Sequence, residues 1–177
     1  MNKNVNLPNI LALIRLLIAP IMFMFLANRD LFVDVHPTWL DFIAALLFVL
    51  ASITDFFDGF IARSFNQITR LGKILDPLAD KMLTLAGFLG LMVLGRADPW
   101  AIYLILTREF FITGLRVVAI GDKKEISASF LGKIKTIIQM IAIGFLIMDW
   151  PFGTVILWIA VIITLYSGYE YIKEYLK

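Results

Sequence analysis

Four aspartates carry the reactive chemistry of this sequence. Asp55 and Asp58 stand three residues apart, and Asp76 and Asp80 four apart, in a stretch that is otherwise mostly apolar. On a helix each spacing puts both carboxylates on one face. An aspartate at the centre of a membrane-spanning helix costs roughly 2.5–3.5 kcal/mol, so four of them need a compensating partner. Carboxylate oxygens without cysteine or a nearby histidine suit hard cations (Mg²⁺, Mn²⁺ or Ca²⁺) rather than zinc or copper. Four carboxylates suffice to bridge two such ions, the arrangement that clamps attacking and leaving oxygens in phosphoryl transfer. The competing reading is a proton relay through aspartates neutralised by burial.

The neighbouring residues favour metal and phosphate. Gly59 follows Asp58 and Gly72 lies one turn before Asp76; both allow backbone to approach a ligand closely. Arg63, five residues beyond Asp58, is suited to holding phosphate oxygens bidentately. Taken singly, the glycines read as helix-packing or capping positions and the arginine as a topology determinant. Together with the aspartates they describe a site for a pyrophosphate or phosphodiester.

The elements that must position these groups are membrane helices. Of 177 residues, 60% are hydrophobic and 17% charged, against roughly 45–50% and about 25% in soluble domains. That composition excludes a disordered chain, a coiled coil, a secreted disulfide scaffold and most soluble enzymes. The absence of cysteine excludes thiolate metal sites, disulfides and thiol catalysis. A net charge of +2 gives no reason to expect nucleic-acid binding. Six segments are long and apolar enough to span a bilayer, at roughly 7–27, 38–60, 74–95, 99–119, 130–148 and 151–172. The expectation is one all-α integral membrane domain over residues 1–177, with six transmembrane helices. A short link from Arg63 to Gly72 makes the second and third helices antiparallel neighbours, so all four aspartates converge at one depth.

Basic residues set the orientation. Lys3, Arg63, Arg70, Lys73, Lys123, Lys124, Lys133, Lys135, Lys173 and Lys177 fall on the side of the N-terminus, and Arg29 and Arg96 on the other. Both termini and the aspartates are therefore expected in the cytoplasm, at the cell membrane. The first segment contains Arg15 and Pro20 and lacks a small-residue cleavage site, so it reads as a retained helix. Asn6-Leu7-Pro8-Asn9 opens it with capping chemistry. His36, the single histidine, falls in an external loop and receives no role.

A second group of charges is cationic. Arg108 and Arg116 lie eight apart on segment four, near one helix face, and Lys133 and Lys135 open segment five. An arginine beside Glu109 in an apolar helix is expected to be paired or functional. Several cations at one end suggest an acceptor that itself carries a phosphate.

Read as a string, Asp55-x2-Asp58-Gly59-x2-Ala62-Arg63-x8-Gly72-x3-Asp76-x3-Asp80 resembles the signature of the CDP-alcohol phosphotransferase family at every fixed position. The resemblance implies a six-helix membrane fold and a reaction in which an alcohol attacks the β-phosphorus of a CDP-linked lipid and CMP leaves. It implies that Asp55, Asp58, Asp76 and Asp80 bind two divalent cations, Mg²⁺ or Mn²⁺, and that Asp80 also takes the alcohol proton. Gly59, Arg63 and Thr69 match positions that contact the CDP portion, Gly72 would keep its pocket open, and a homodimer is implied.

Three flanking stretches extend the resemblance: Asn6-Leu7-Pro8-Asn9…Arg15…Pro20, Arg108-Glu109-Phe110…Gly114-Leu115-Arg116, and Leu131-Gly132-Lys133-x-Lys135-Thr136…Gln139. They resemble the bacterial branch of the family that makes phosphatidylglycerophosphate. That implies CDP-diacylglycerol as donor and sn-glycerol 3-phosphate as acceptor, the acceptor phosphate meeting Arg108, Arg116, Lys133 and Lys135. Ala12 stands where that branch commonly has threonine, which leaves Asn9, one turn earlier, as a candidate nucleotide contact. Inositol phosphate, serine or phosphatidylglycerol as acceptor are the alternatives within the fold. A cation- or proton-coupled transporter is the alternative outside it, and predicts polar residues spread through both membrane halves.

Overall fold

A computed structural model of the chain describes residues 7–64, 72–121 and 130–176. Among the described residues six helices follow one another: α1 (Leu7–Ala27), α2 (Pro37–Ser64), α3 (Gly72–Val93), α4 (Pro99–Gly121), α5 (Phe130–Ile147) and α6 (Gly153–Tyr175). A short 3-10 turn, Arg29–Phe32, joins the first two, and the regular structure of the described residues is entirely helical. Four stretches are long and apolar enough to cross a membrane by themselves: Asn9–Ala27, Pro37–Thr54, Phe130–Ile147 and Gly153–Tyr175. The helices α3 and α4, at 22 and 23 residues, would each reach about 33 Å, but their apolar runs are broken by charged residues. Helix α2 continues to Ser64, so Arg63 lies on the helix and not in the link that follows it.

The helices form two compact units, Met1–Leu94 and Gly95–Lys177. In the first, α1 is the shared element: it packs against α3 and α2 far more extensively than these pack on each other. The sequence shows why. The buried stripe of α1 is Asn9, Ala12, Arg15, Ala19, Met22 and Leu26, a repeat of three and four residues that keeps one helix face inward. Its alanines let the neighbouring backbones come close. On α3, a Cβ added to Gly90 would lie 2.7 Å from the Cβ of Leu26, so this crossing requires glycine.

The connections are set by local chemistry. His36 has a structural role, since its Nδ1 accepts from the Thr38 backbone N–H at 3.3 Å as Pro37 opens α2. Arg29 donates to the buried Asp41 on α2, which ties the 3-10 turn to that helix. Gly95 ends α3 in the left-handed region at φ 71°, where glycine is unstrained. Asp98 then caps α4, accepting from the backbone N–H of Trp100 at 2.8 Å and of Ala101 at 3.2 Å, with Pro99 in the first turn.

In the second unit α6 plays the part of α1, packing against both α5 and α4. The α5–α6 connection is tight enough to hold Asp149 at φ 54° and Phe152 at φ 70°. A Cβ on Gly153 would meet the Leu146 side chain at 2.8 Å. Arg96 closes the end of α5: its Nη1 donates to the Ile147 carbonyl at 2.6 Å, and its Nε lies 3.8 Å from the Asp149 carboxylate. A cation on carbonyls at a helix C-terminus is favourable both as hydrogen bond and against the helix dipole. Arg29 and Arg96, the two arginines assigned to the minority side, are thus both engaged in structural contacts. Arg96→Ala is expected to cost about 1–3 kcal/mol of stability. Thermal unfolding in detergent should fall by several degrees with the acceptor KM unchanged; a selective rise in that KM would assign Arg96 a role in binding instead.

Candidate functional site

In each unit the buried apolar stripes turn polar towards one end. On α2 the stripe Leu40, Ala44, Phe48, Ala51 advances by four and three residues. The same steps lead from Ala51 to helix positions 55 and 58, with positions 59 and 63 on the next turns of α2; the side chains of Asp55, Asp58, Gly59 and Arg63, and of Asp76 on α3, lie outside those described. On α3 the buried positions Ala79 and Leu83 step back to residues 76 and 72 in the same way. Gly72 is buried there and Asp80, beside the stripe, is half-buried. Thr84 holds the backbone carbonyl of Asp80 through its hydroxyl at 3.2 Å. Thr69 lies outside the described residues.

The face that α1 contributes to this unit is also polar at its start. Asn9 is 2% exposed and Arg15 wholly buried, the largest fully buried side chain among the described residues. The sequence singled out Asn9 as a candidate contact but used Arg15 only as an argument against cleavage and as part of the resembling N-terminal stretch. Its signal was there: a lone arginine in register with Asn9 and Ala12 on an apolar helix. A buried guanidinium on the helix shared by α2 and α3 puts fixed positive charge in the unit that carries four carboxylates. The donor set itself is all carboxylate, with no imidazole or thiolate, and so fits Mg²⁺ or Mn²⁺.

The polar end of the second unit is a chain of hydrogen bonds across three helices. Arg108 occupies the buried stripe of α4 between Ile105 and Ile112, and its side chain is 10% exposed. Its Nη2 donates to the Ser167 hydroxyl on α6 at 2.8 Å, and its Nη1 to Glu109 Oε1 at 3.3 Å. The same Glu109 oxygen accepts from the Lys135 ammonium on α5. From Ser167 the hydroxyl donates to the Thr164 carbonyl at 3.0 Å. Gln139 on α5 then donates to the Thr164 hydroxyl at 2.8 Å, which brings the chain back to the helix that carries Lys135. Arg108 Nε is buried without an acceptor among the described residues, and such an orphan donor costs about 1–3 kcal/mol.

The four cations singled out in the sequence separate here. Arg108 and Lys135 are brought together through Glu109. Arg116, exposed, lies with its guanidinium carbon 5.9 Å from the centre of the Tyr171 ring, a cation–π contact. Lys133 is exposed, because residues two apart on a helix face different ways. Ser167, Thr164 and Gln139 were not anticipated as partners of these charges.

Comparison with known proteins places this geometry. The family model described as CDP-alcohol phosphatidyltransferase matches residues 5–166. A Bacillus subtilis protein named CDP-diacylglycerol–glycerol-3-phosphate 3-phosphatidyltransferase is 41% identical, covering 96% of this chain and 94% of its own length. A Rickettsia felis protein of the same name is 40% identical over 95% of this chain and 94% of its own. Another from Shigella flexneri serotype 5b is 34% identical over 95% and 93%.

Proposed function

Because the chain belongs to the CDP-alcohol phosphatidyltransferase family, we propose that it transfers the phosphatidyl group of CDP-diacylglycerol to sn-glycerol 3-phosphate, giving phosphatidylglycerophosphate and CMP. The relatives named for that reaction match almost the whole chain. The observation in the structure that carries the choice of acceptor is the buried Arg108–Glu109–Lys135 group, two cations sharing one carboxylate where a neutral alcohol would need none.

The first unit binds the donor. Asp55, Asp58, Asp76 and Asp80 would hold two divalent cations, Mg²⁺ or Mn²⁺, on which members of this family generally depend. When bound, such ions neutralise the diphosphate and the charge that develops on departing CMP. Arg63 and Thr69 contact the CDP portion, with Gly59 and Gly72 giving the backbone clearance it needs and Asn9 offering an amide from α1. Asp80 accepts the proton of the acceptor hydroxyl. That oxygen forms the new bond to the β-phosphorus as the bond from phosphorus to CMP breaks.

The second unit recruits the acceptor. Arg108 and Lys135 hold its phosphate through charge-assisted hydrogen bonds, and the exposed Arg116 and Lys133 draw the dianion in from water. All six helices cross the cell membrane, with both termini and the aspartates on the cytoplasmic side, where CDP and glycerol phosphate arrive. The two units act as one catalytic domain, and the protein works as a homodimer among membrane lipids. A panel of radiolabelled acceptors offered with CDP-diacylglycerol tests the assignment. Glycerol 3-phosphate should be incorporated in preference to inositol phosphate, serine and phosphatidylglycerol. Incorporation of one of those three in its place would overturn it.

A further inference from the structure

Helix α6 carries no cation within its buried face, yet both arginines of α4 rest on it. Four buried residues of that face, Thr164, Ser167, Gly168 and Tyr171, follow one another at helical spacing. Ser167 accepts from Arg108 Nη2 at 2.8 Å and is itself fixed by donating to the Thr164 carbonyl at 3.0 Å. Gly168 leaves room for the arginine stem: a Cβ there would stand 3.1 Å from both Cγ and Nε of Arg108. That is tighter than most side-chain contacts, so a Cβ at this position makes the Arg108 stem give by a few tenths of an ångström. Tyr171, one turn on, offers its ring to Arg116.

We propose that Ser167 and Gly168 are positioning residues for acceptor recognition, fixing the Arg108 guanidinium in the orientation that meets the acceptor's phosphate. The inference rests on the acceptor reading above and adds residues to it that touch neither substrate. Two features separate this seat from plain helix packing. The serine hydroxyl aims one specific nitrogen of the fork, and a planar guanidinium turned by a few tens of degrees loses bidentate geometry even when its charge stays nearby. The seat also leaves Arg108 Nε buried without an acceptor among the described residues. A seat serving stability alone has no reason to leave a donor unsatisfied. Glu109 completes the arrangement by holding Arg108 and Lys135 on one carboxylate oxygen.

Steady-state kinetics of the purified full chain in detergent test this, with both KM values measured for Ser167→Ala, Gly168→Ala, Ser167→Thr and Arg108→Ala and for the Arg108→Ala/Ser167→Ala pair. Loss of one charge-assisted hydrogen bond acting through Arg108 should raise the glycerol 3-phosphate KM about fivefold to tenfold in Ser167→Ala. Gly168→Ala should do at least as much. The CDP-diacylglycerol KM should stay within about twofold, and Ser167→Thr should restore the acceptor KM. Once Arg108 is gone, removing Ser167 should add almost nothing, since the two act as one unit. Unchanged acceptor KM in both α6 variants overturns the proposal, as does an equal rise in both KM values or full additivity in the pair. If the wild type uses a different alcohol, the acceptor reading fails instead, and the same variants assayed on that alcohol still decide whether α6 seats Arg108.

Discussion

Asp80→Asn should lower kcat by about 10³-fold or more while the protein still folds. Asparagine keeps the size of the side chain but has neither the negative charge to bind a divalent cation nor the basicity to take a proton, the two roles proposed for Asp80. General-base catalysis alone is worth about 10²–10⁴-fold, and loss of a metal-binding carboxylate adds to it. The fold should survive because Asp80 is only half-buried and because Thr84 holds its backbone carbonyl, which the substitution leaves in place. CMP release from CDP-diacylglycerol, measured beside the elution profile of the variant in size-exclusion chromatography, checks both halves. A correctly eluting variant within about tenfold of wild-type turnover would show that Asp80 is neither base nor ligand.

Removal of divalent cations should have an effect of similar size. Treatment with EDTA is expected to cut CMP release by more than about 100-fold, the scale on which electrostatic stabilisation of a departing phosphate operates. Added Mg²⁺ or Mn²⁺ should restore it. Zn²⁺ should not, since an all-carboxylate donor set offers it neither nitrogen nor sulfur. The proton-relay reading of the same four aspartates predicts the opposite, activity indifferent to chelator. Asp55, Asp58 and Asp76 should each show loss of activity on substitution by asparagine, partly recoverable at high Mg²⁺. For Asp80, proposed also to take the proton, extra metal should recover nothing.

The membrane class and the number of helices were legible because each rests on a local pattern. A run of about twenty apolar residues, or an aspartate pair at helical spacing, needs no tertiary information to be read. Which helix packs on which did not follow from pattern. The shared aspartates and a short link pointed to α2 and α3 as partners, yet α1 takes most of the packing of both. Small residues decide this, Ala12 and Ala19 on α1 and Gly90 on α3, and small residues look alike wherever they stand in an apolar segment.

The polar group of the second unit was legible as charge and not as partnership. Arg108 was identifiable because an arginine inside an apolar helix must be compensated, and it is, through Glu109 and Ser167. Ser167 itself gave no signal, since serine in a membrane helix commonly satisfies its hydroxyl on its own backbone. Ser167 does both, donating to Thr164 and receiving Arg108. Lys133 and Lys135 were grouped by proximity in sequence, but helical geometry buries the second and exposes the first. His36 was read as idle and proves to cap α2, a role visible only once the turn before Pro37 is formed.

Joining a phosphatidyl group to glycerol 3-phosphate is the activity proposed for this chain. The most direct test measures CMP and phosphatidylglycerophosphate together, from purified protein in detergent micelles, where no transmembrane gradient exists. With CDP-diacylglycerol, glycerol 3-phosphate and Mg²⁺ all present, the two products should appear in equal amounts, and omission of any one component should stop both. CMP release without glycerol 3-phosphate, or no CMP release under the full conditions, would show that the chain does not catalyse this transfer.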